Sequence, residues 1–333
     1  MLNNIKVAVV GFGQMGLHHA RAYSKMPGVT VYAVCDADEA NLSAGRTEFN
    51  CKCYTDYKEL LNDPEVDAVS ITLPDNMHLE AAEIAVRNKK HVLLEKPIAK
   101  DLEDGRKIYE LTKGYDKVFT VGHLLRYDPR FSAVKEAIDA GELGELTHLY
   151  CRRNSPIYGH RRYIGASDLS MHVMIHDIDY VNWFFGTKPV KVFAKGRSHA
   201  LKSVNMKDVI YAIVTYECGA IACLEACWTL PETSPTIIDD KVELVGTKGT
   251  VYIDSCDHGV RFITQDRLVY PDSRHWPYVN GAPVGALGNE ISGFINSIMG
   301  GTKPLISAKE AFEALKVVDA IERSMAENRE VEV

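Results

Sequence analysis

Ile5-Lys6-Val7-Ala8-Val9-Val10 runs directly into Gly11-Phe12-Gly13-Gln14-Met15-Gly16, an apolar strand that enters a G-x-G-x-x-G turn. Met15 to Lys25 then reads as a helix, and Val29 to Cys35 as a second strand. Asp36 closes that strand, twenty residues beyond Gly16. A glycine triplet alone recurs by chance. Between a strand and a helix, with an acid at the end of the next strand, it marks a dinucleotide site. The glycines permit a tight turn and bring backbone N–H groups close to a pyrophosphate at a helix N-terminus. Gly11, Phe12, Gly13, Gln14 and Met15 are therefore cofactor-binding candidates. Asp36 would accept hydrogen bonds from the adenosine ribose. Its carboxylate repels a ribose 2′-phosphate, and Ala37-Asp38 offers no arginine to receive one, so NAD is expected rather than NADP. The alternative is a glycine turn that holds no ligand.

Outward from this turn the alternation continues. Ala68 to Leu73, His91 to Leu94 and Val118 to Val121 read as strands. Asp38 to Phe49, Tyr57 to Leu61, Asn76 to Asn88 and Asp101 to Thr112 read as helices. Such alternation predicts right-handed crossovers and a parallel, doubly wound sheet over residues 1–122. After Pro129 the pattern changes. A helix from Arg130 to Ala140 ends at Gly141, and a strand begins at Leu146. A long helix, Asp168 to Phe185, closes at Gly186, with Trp183, Phe184 and Phe185 as core. Strands over Val190–Lys195, Val209–Tyr216, Ala220–Trp228, Lys241–Val245, Gly249–Ile253 and Gly259–Thr264 are separated by turns such as Glu217-Cys218-Gly219. They predict a large, open, mostly antiparallel sheet. Helices at Gly288–Met299 and Ala308–Ala326 complete an α+β domain over 123–333.

Composition bounds the function. The chain has 333 residues, 46% hydrophobic and 25% charged, with a net charge of -7. It can bury two cores, and it has no basic stretch suited to nucleic acid. No apolar run approaches the roughly 18 residues of a membrane span, and the N-terminus does not read as a signal peptide. The eight cysteines lack paired zinc-like spacing and read as reduced structural thiols. A cytoplasmic enzyme is expected.

Ligands in open α/β sheets bind beyond the carboxyl ends of the strands. Leu73-Pro74-Asp75-Asn76-Met77-His78 and Glu95-Lys96-Pro97 occupy such ends. Here the sequence resembles the glucose–fructose oxidoreductase / inositol dehydrogenase / MocA family. The resemblance spans essentially the whole chain. It rests on Gly11 to Gly16 with His19, on Pro74, Asn76 and His78, on Glu95-Lys96-Pro97, and on Arg126-Tyr127-Asp128-Pro129. His176-Asp177-Ile178-Asp179 and Gly246-Thr247-Lys248-Gly249 extend it.

The resemblance implies an α/β protein with an N-terminal Rossmann domain. It also implies an activity that oxidises or reduces a secondary alcohol of a sugar or cyclitol, with Lys96 and His176 as the active pair. A histidine titrating near neutrality suits removal of a hydroxyl proton, and a lysine ammonium stabilises a developing alkoxide. Pro97 would fix the turn at Lys96 through a cis bond. Leu73, Pro74, Asn76, His78, Glu95, Lys96 and Arg126 would line the coenzyme. Without this context Lys96 is an exposed lysine after a strand and His176 a core or capping histidine. Asp179 either orients His176 or is structural.

The family usually carries an Asp four residues before the catalytic histidine, where this chain has His172. On one α-helical face His172 and His176 would look the same way, and His172 would hold a substrate hydroxyl. The spacing with Asp179 also suits a metal, but no third ligand on another element supports one, and none is expected. Substrate candidates are His123, Tyr127 and Arg126; Asn154, Arg161, Arg162 and Tyr163; and Trp276 and Tyr278. The arginines would suit a carboxylate or phosphate, or are solvated surface groups. An apolar outer face on the second sheet would make a homodimer or homotetramer. Rival readings are an NAD-dependent glycoside-cleaving enzyme and a silent redox-sensing homologue.

Overall fold

A computed structural model describes residues 4–157, 164–165, 167–255, 260, 262–263, 265–266 and 268–333. Two compact units emerge: residues 1–128 with 274–312, and residues 129–273 with 313–333.

In the first unit the strands β1 (Ile5–Val10), β2 (Val29–Cys35), β3 (Lys52–Tyr54), β4 (Ala68–Ile71), β5 (His91–Glu95) and β6 (Phe119–Gly122) form one parallel sheet in the order β3-β2-β1-β4-β5-β6. The order reverses at β1, the switch point where doubly wound sheets hold their ligands. β1 is buried at five of its six positions, as a strand covered on both faces must be. The helices α1 (Gln14–Tyr23), α2 (Tyr57–Asn62), α3 (His78–Arg87) and α4 (Leu102–Leu111) supply the crossovers. Local detail differs from the sequence reading. The helix expected over Asp38–Phe49 contracts to a single π-type turn at Gly45–Phe49, and β3, too short to show a periodicity, follows it. Residues Asp75–Met77 wind as 3-10 before α3 begins at His78.

The sequence reading assigned all of 123–333 to one domain, whereas residues 274–312 pack with the N-terminal sheet. Leu287, Ile291, Phe294 and Ile295 share a buried cluster with Val7, Val9, Phe12 and Tyr23. The reason is non-local: α7 (Gly285–Gly300) presents an apolar face for which α1 and β1 offer the partner.

The second unit has α5 (Pro129–Asp139), β7 (Leu146–Pro156), α6 (Ile175–Phe185), β8 (Pro189–Arg197), β9 (Val209–Tyr216), β10 (Ile221–Leu230), β11 (Asp239–Gly246) and β12 (Thr250–Asp254). Short ladders β13 (Phe262–Ile263) with β14 (Leu268–Val269), and, in the first unit, β15 (Tyr278–Val279) with β16 (Ala282–Pro283), follow. Most of the strand read at Gly259–Thr264 lies outside the described residues. Helix α8 (Ala308–Glu327) gives its first turn to the first unit, and β17 (Val331–Glu332) ends the chain.

The seven-stranded sheet runs β12-β11-β7-β10-β9-β8-β17. Its pairs are antiparallel except β10 with β7. Alternation divides its two faces. Leu149, Cys151 and Arg153 point to the helix side, where Arg153 meets Asp177 of α6. On the other face a row crosses the sheet through Phe193, Ile213, Cys223, Tyr150, Glu243 and Tyr252, each in register with the next. Phe193, Ile213 and Tyr252 are exposed.

Candidate functional site

The glycine turn is fixed by backbone contacts. Gly11 has φ +90, and a Cβ there would lie 2.7 Å from Thr72 O. A Cβ on Gly16 would lie 2.1 Å from Gly11 O, so the third glycine lets α1 sit directly on the turn. Gly13 differs: a Cβ there meets nothing within 4 Å, and α1 begins on it with no side-chain cap. The outer side of the turn is open at the positive end of a helix, which suits a pyrophosphate. Asp36 is bound into the same turn. Its Oδ2 accepts the Phe12 N–H at 2.8 Å and its Oδ1 the Asp38 N–H at 2.9 Å. The surroundings are acidic. Burial, aided by Asp36, Asp56 and Glu59, pushes the neighbouring Cys35 thiol up to about 12. Residues Gly11 to Gly16 and Asp36 thus fit a dinucleotide.

At the carboxyl ends of β4 and β5 the sequence candidates take different positions. Pro74 and Asn76 are exposed, Leu73 and Lys96 are half-buried, and His78 and Glu95 are buried. The Lys96–Pro97 peptide is cis. Glu95 belongs to a buried polar chain. His19 donates from Nε2 to Glu95 Oε1 at 3.2 Å, its Nδ1 lies 3.1 Å from Ser70 Oγ, and Ser70 meets the Tyr23 hydroxyl at 2.7 Å. The Lys96 N–H donates to Glu95 Oε2 at 3.2 Å. Burial opposes ionisation of Glu95, but the His19 hydrogen bond and the charges of His19 and Lys96 outweigh it and hold the carboxyl below its usual range. Gly122, opposite Glu95 in β6, leaves the carboxylate room: a Cβ there would come within 3.1 Å of it.

Other candidates of the first unit are tied to its own elements. His123 is buried, and Arg126 is buried and donates to Glu310 Oε1 at 2.6 Å. Glu310 also accepts from the Ser307 N–H and hydroxyl. Ser307 and Glu310 form a reciprocal capping box, a local pattern that the sequence reading missed and that by itself does not point to Arg126, 184 residues away. Tyr127 packs against Gly293 of α7. Trp276 stacks on His18 of α1 with ring centroids 6.3 Å apart, and the Tyr278 hydroxyl lies 2.6 Å from His18 Nδ1. Both were read as substrate candidates, but they come from a sequence segment remote from α1, so no local pattern announced their contacts with His18.

In the second unit the helix expected from Asp168 to Phe185 is continuous from Leu169, but it is not α-helical throughout. Ser170–Met174 winds as a π-type turn, with the Ile175 N–H reaching back to Ser170 O, and α6 starts only then. A π turn inserts an extra residue and is frequent at functional sites. His172 and His176, both half-buried, therefore do not have the simple α-helical four-residue relation. The His172 ring packs 6.0 Å from the ring of the fully buried Trp228, and Ser170 is hydrogen-bonded to Glu322. Asp179 is buried. Its neighbour in the motif, Asp177, pairs with Arg153 at 2.9 Å, and Arg153 reaches Asp240 at 3.5 Å. Asn154 points to the other face of the sheet and donates to Glu225 at 2.7 Å. Arg161, Arg162 and Tyr163 lie outside the described residues. Among the described residues no three His, Cys, Asp or Glu side chains group as metal ligands, and no helix is long and apolar enough to cross a membrane.

The lowered Glu95 acidity has a sign that can be checked. A carboxyl held below its unfolded value, about 4.3 for Glu, contributes stability above that pH and loses it as pH falls through the folded value. The melting temperature of the Glu95→Gln variant should lie below that of the parent at pH 7, and the gap should shrink on acidification. A gap unchanged down to about pH 3 would contradict the assignment.

Comparison with known proteins gives the same outline. A family model described as an oxidoreductase family with an NAD-binding Rossmann fold matches residues 5–123, and the GFO/IDH/MocA C-terminal domain matches residues 131–252. The myo-inositol 2-dehydrogenase of Thermotoga maritima is 26% identical over 334 residues, covering 99% of this chain and 98% of its own. The inositol 2-dehydrogenase of Rhizobium meliloti is 28% identical, covering 99% of each. The crystal structure of apo scyllo-inositol dehydrogenase from Lactobacillus casei has a TM-score of 0.88 at 25% identity, over 100% of this chain and 99% of the other. With both domain models matched in order and the glycine turn and acidic strand end in place, the chain belongs to the Gfo/Idh/MocA family of oxidoreductases and carries its NAD-binding Rossmann domain.

Proposed function

We propose that this protein is an NAD-dependent dehydrogenase acting on a secondary alcohol of a cyclitol, inositols before open sugars. The observation that carries the proposal is end-to-end similarity to two inositol 2-dehydrogenases, joined to a dinucleotide turn with Asp36 bound into it. NAD, when bound, supplies the hydride acceptor. The chain's own residues do the rest. Backbone N–H groups of the Gly11–Met15 turn bind the pyrophosphate, and Asp36 takes the ribose hydroxyls and disfavours a 2′-phosphate. His176 removes the hydroxyl proton, Lys96 stabilises the alkoxide as it forms, and His172 holds a neighbouring hydroxyl. An imidazole at 172, in place of the usual carboxylate, changes the hydrogen-bonding group offered to the substrate and with it the choice among inositol isomers.

A second copy of the chain is proposed to cover the outer face of the seven-stranded sheet, because the row from Phe193 to Tyr252 would otherwise leave aromatic and aliphatic side chains in water. A cytoplasmic location is proposed from the reading of the cysteines as structural thiols.

The test is a panel of inositol isomers, sugars and sugar acids with NAD and with NADP, read by nicotinamide absorbance. Net NADH formation with at least one inositol is expected, and none with any polyol would refute the proposal. Lys96→Ala should lower kcat by about a hundredfold or more; an unchanged rate removes Lys96 from the chemistry. Asp36→Ser should raise the KM for NAD about tenfold and lower the preference over NADP; an unaltered preference would show that another group reads the ribose. Ile213→Glu, placing a charge at the apolar end of the row beside Phe193, should shift the protein to a smaller species in size-exclusion chromatography, and an unchanged elution volume would exclude this face as the interface.

A further inference from the structure

The first residue of α3, His78, is 1% exposed. Its Nδ1 lies 3.0 Å from Pro97 O and its Nε2 lies 2.9 Å from Leu73 O. These carbonyls belong to separate segments. Leu73 follows β4 and leads to Pro74 and Asn76, while Pro97 follows β5 across the cis bond from Lys96. A ring enclosed in the protein with both nitrogens on backbone carbonyls has no polar edge left for a coenzyme. We propose that His78 is a positioning residue: it clamps the loop after β4 to the Lys96–Pro97 turn and so sets the place of Lys96 without touching the coenzyme.

Imidazole suits this position because it carries two nitrogens on separate edges of a short, rigid ring. A neutral ring donates to one carbonyl at a time, and an imidazolium donates to both. Burial outweighs the Leu73 and Pro97 carbonyls and the charges of Asp75 and Glu95 and holds the imidazole below its usual range, which favours the neutral ring. Leucine would fill the space and donate to neither carbonyl. Glutamine, with its amide nitrogen at about the reach of Nε2, keeps a donor for Leu73.

The inference rests on the reading of Lys96 as an active group, and the experiment separates the two. His78→Leu and His78→Gln are compared with the parent in the full-length protein. The Leu variant should lose about tenfold or more in kcat with an inositol, as misplacement of a reacting group does. Its Kd for NAD, from tryptophan fluorescence, should stay within about threefold of the parent. The Gln variant should recover at least about a third of the lost rate. An unchanged kcat in the Leu variant overturns the clamp, as does weakened NAD binding with kcat intact. Should the Leu variant not fold, the ring nitrogen spectrum of the 15N-labelled parent decides. A His78 ring N–H protected from exchange and unmoved by saturating NAD is expected; a signal that shifts as a direct contact would overturns the clamp. That readout needs no turnover, so an enzyme inactive on every polyol would count against the proposed function and leave the clamp measurable.

Discussion

The close approach of backbone to backbone at the end of β1 is the constraint on which the first unit depends. Gly11 donates its N–H to Cys35 O at 2.9 Å on one side, and Thr72 donates to Val10 O at 2.8 Å on the other. The turn is thus fastened to both neighbours of the central strand. α1 rests on it with no room for a side chain at Gly16. Because the turn is held from both sides, the uncapped start of α1 points to one place, and Asp36 is held at a fixed distance from it. A binding surface made of backbone is as rigid as the sheet that carries it.

Behind this surface lies a buried polar layer that an apolar interior tolerates only when its members are paired. Tyr23, Ser70, His19 and Glu95 connect α1, β4 and β5 by hydrogen bonds, and His78 connects the segments that follow β4 and β5. All but the His78–Leu73 contact join residues 19 or more apart in sequence. Together they tie down the carboxyl ends of the strands, where Lys96 emerges.

The second unit uses a similar device. Arg153 on β7 satisfies Asp177, next to His176, and reaches Asp240 on β11. The helix bearing His172 and His176 is therefore anchored to the sheet by charge, while its first turn is widened to a π form. Removing one partner of such a buried set leaves an uncompensated charge.

What the sequence alone determined was whatever depends on local spacing. The alternation of apolar runs with helical stretches carried the doubly wound sheet. The glycines followed by Asp36 located the dinucleotide turn. Alternation along β7 to β12 carried the mostly antiparallel sheet. Tertiary structure decided what depends on partners far along the chain. It enclosed His78 between carbonyls of the segments that follow β4 and β5, and sent Asn154 to the outer face beside Glu225. It also brought residues 274–312 back onto the first sheet. The π turn before α6 escaped notice because one extra residue in a turn leaves apolar periodicity almost unchanged while altering the direction of every ring it carries. Periodicity reports which side of an element is apolar. Which carbonyl a buried imidazole finds there depends on segments that meet only when the chain has folded.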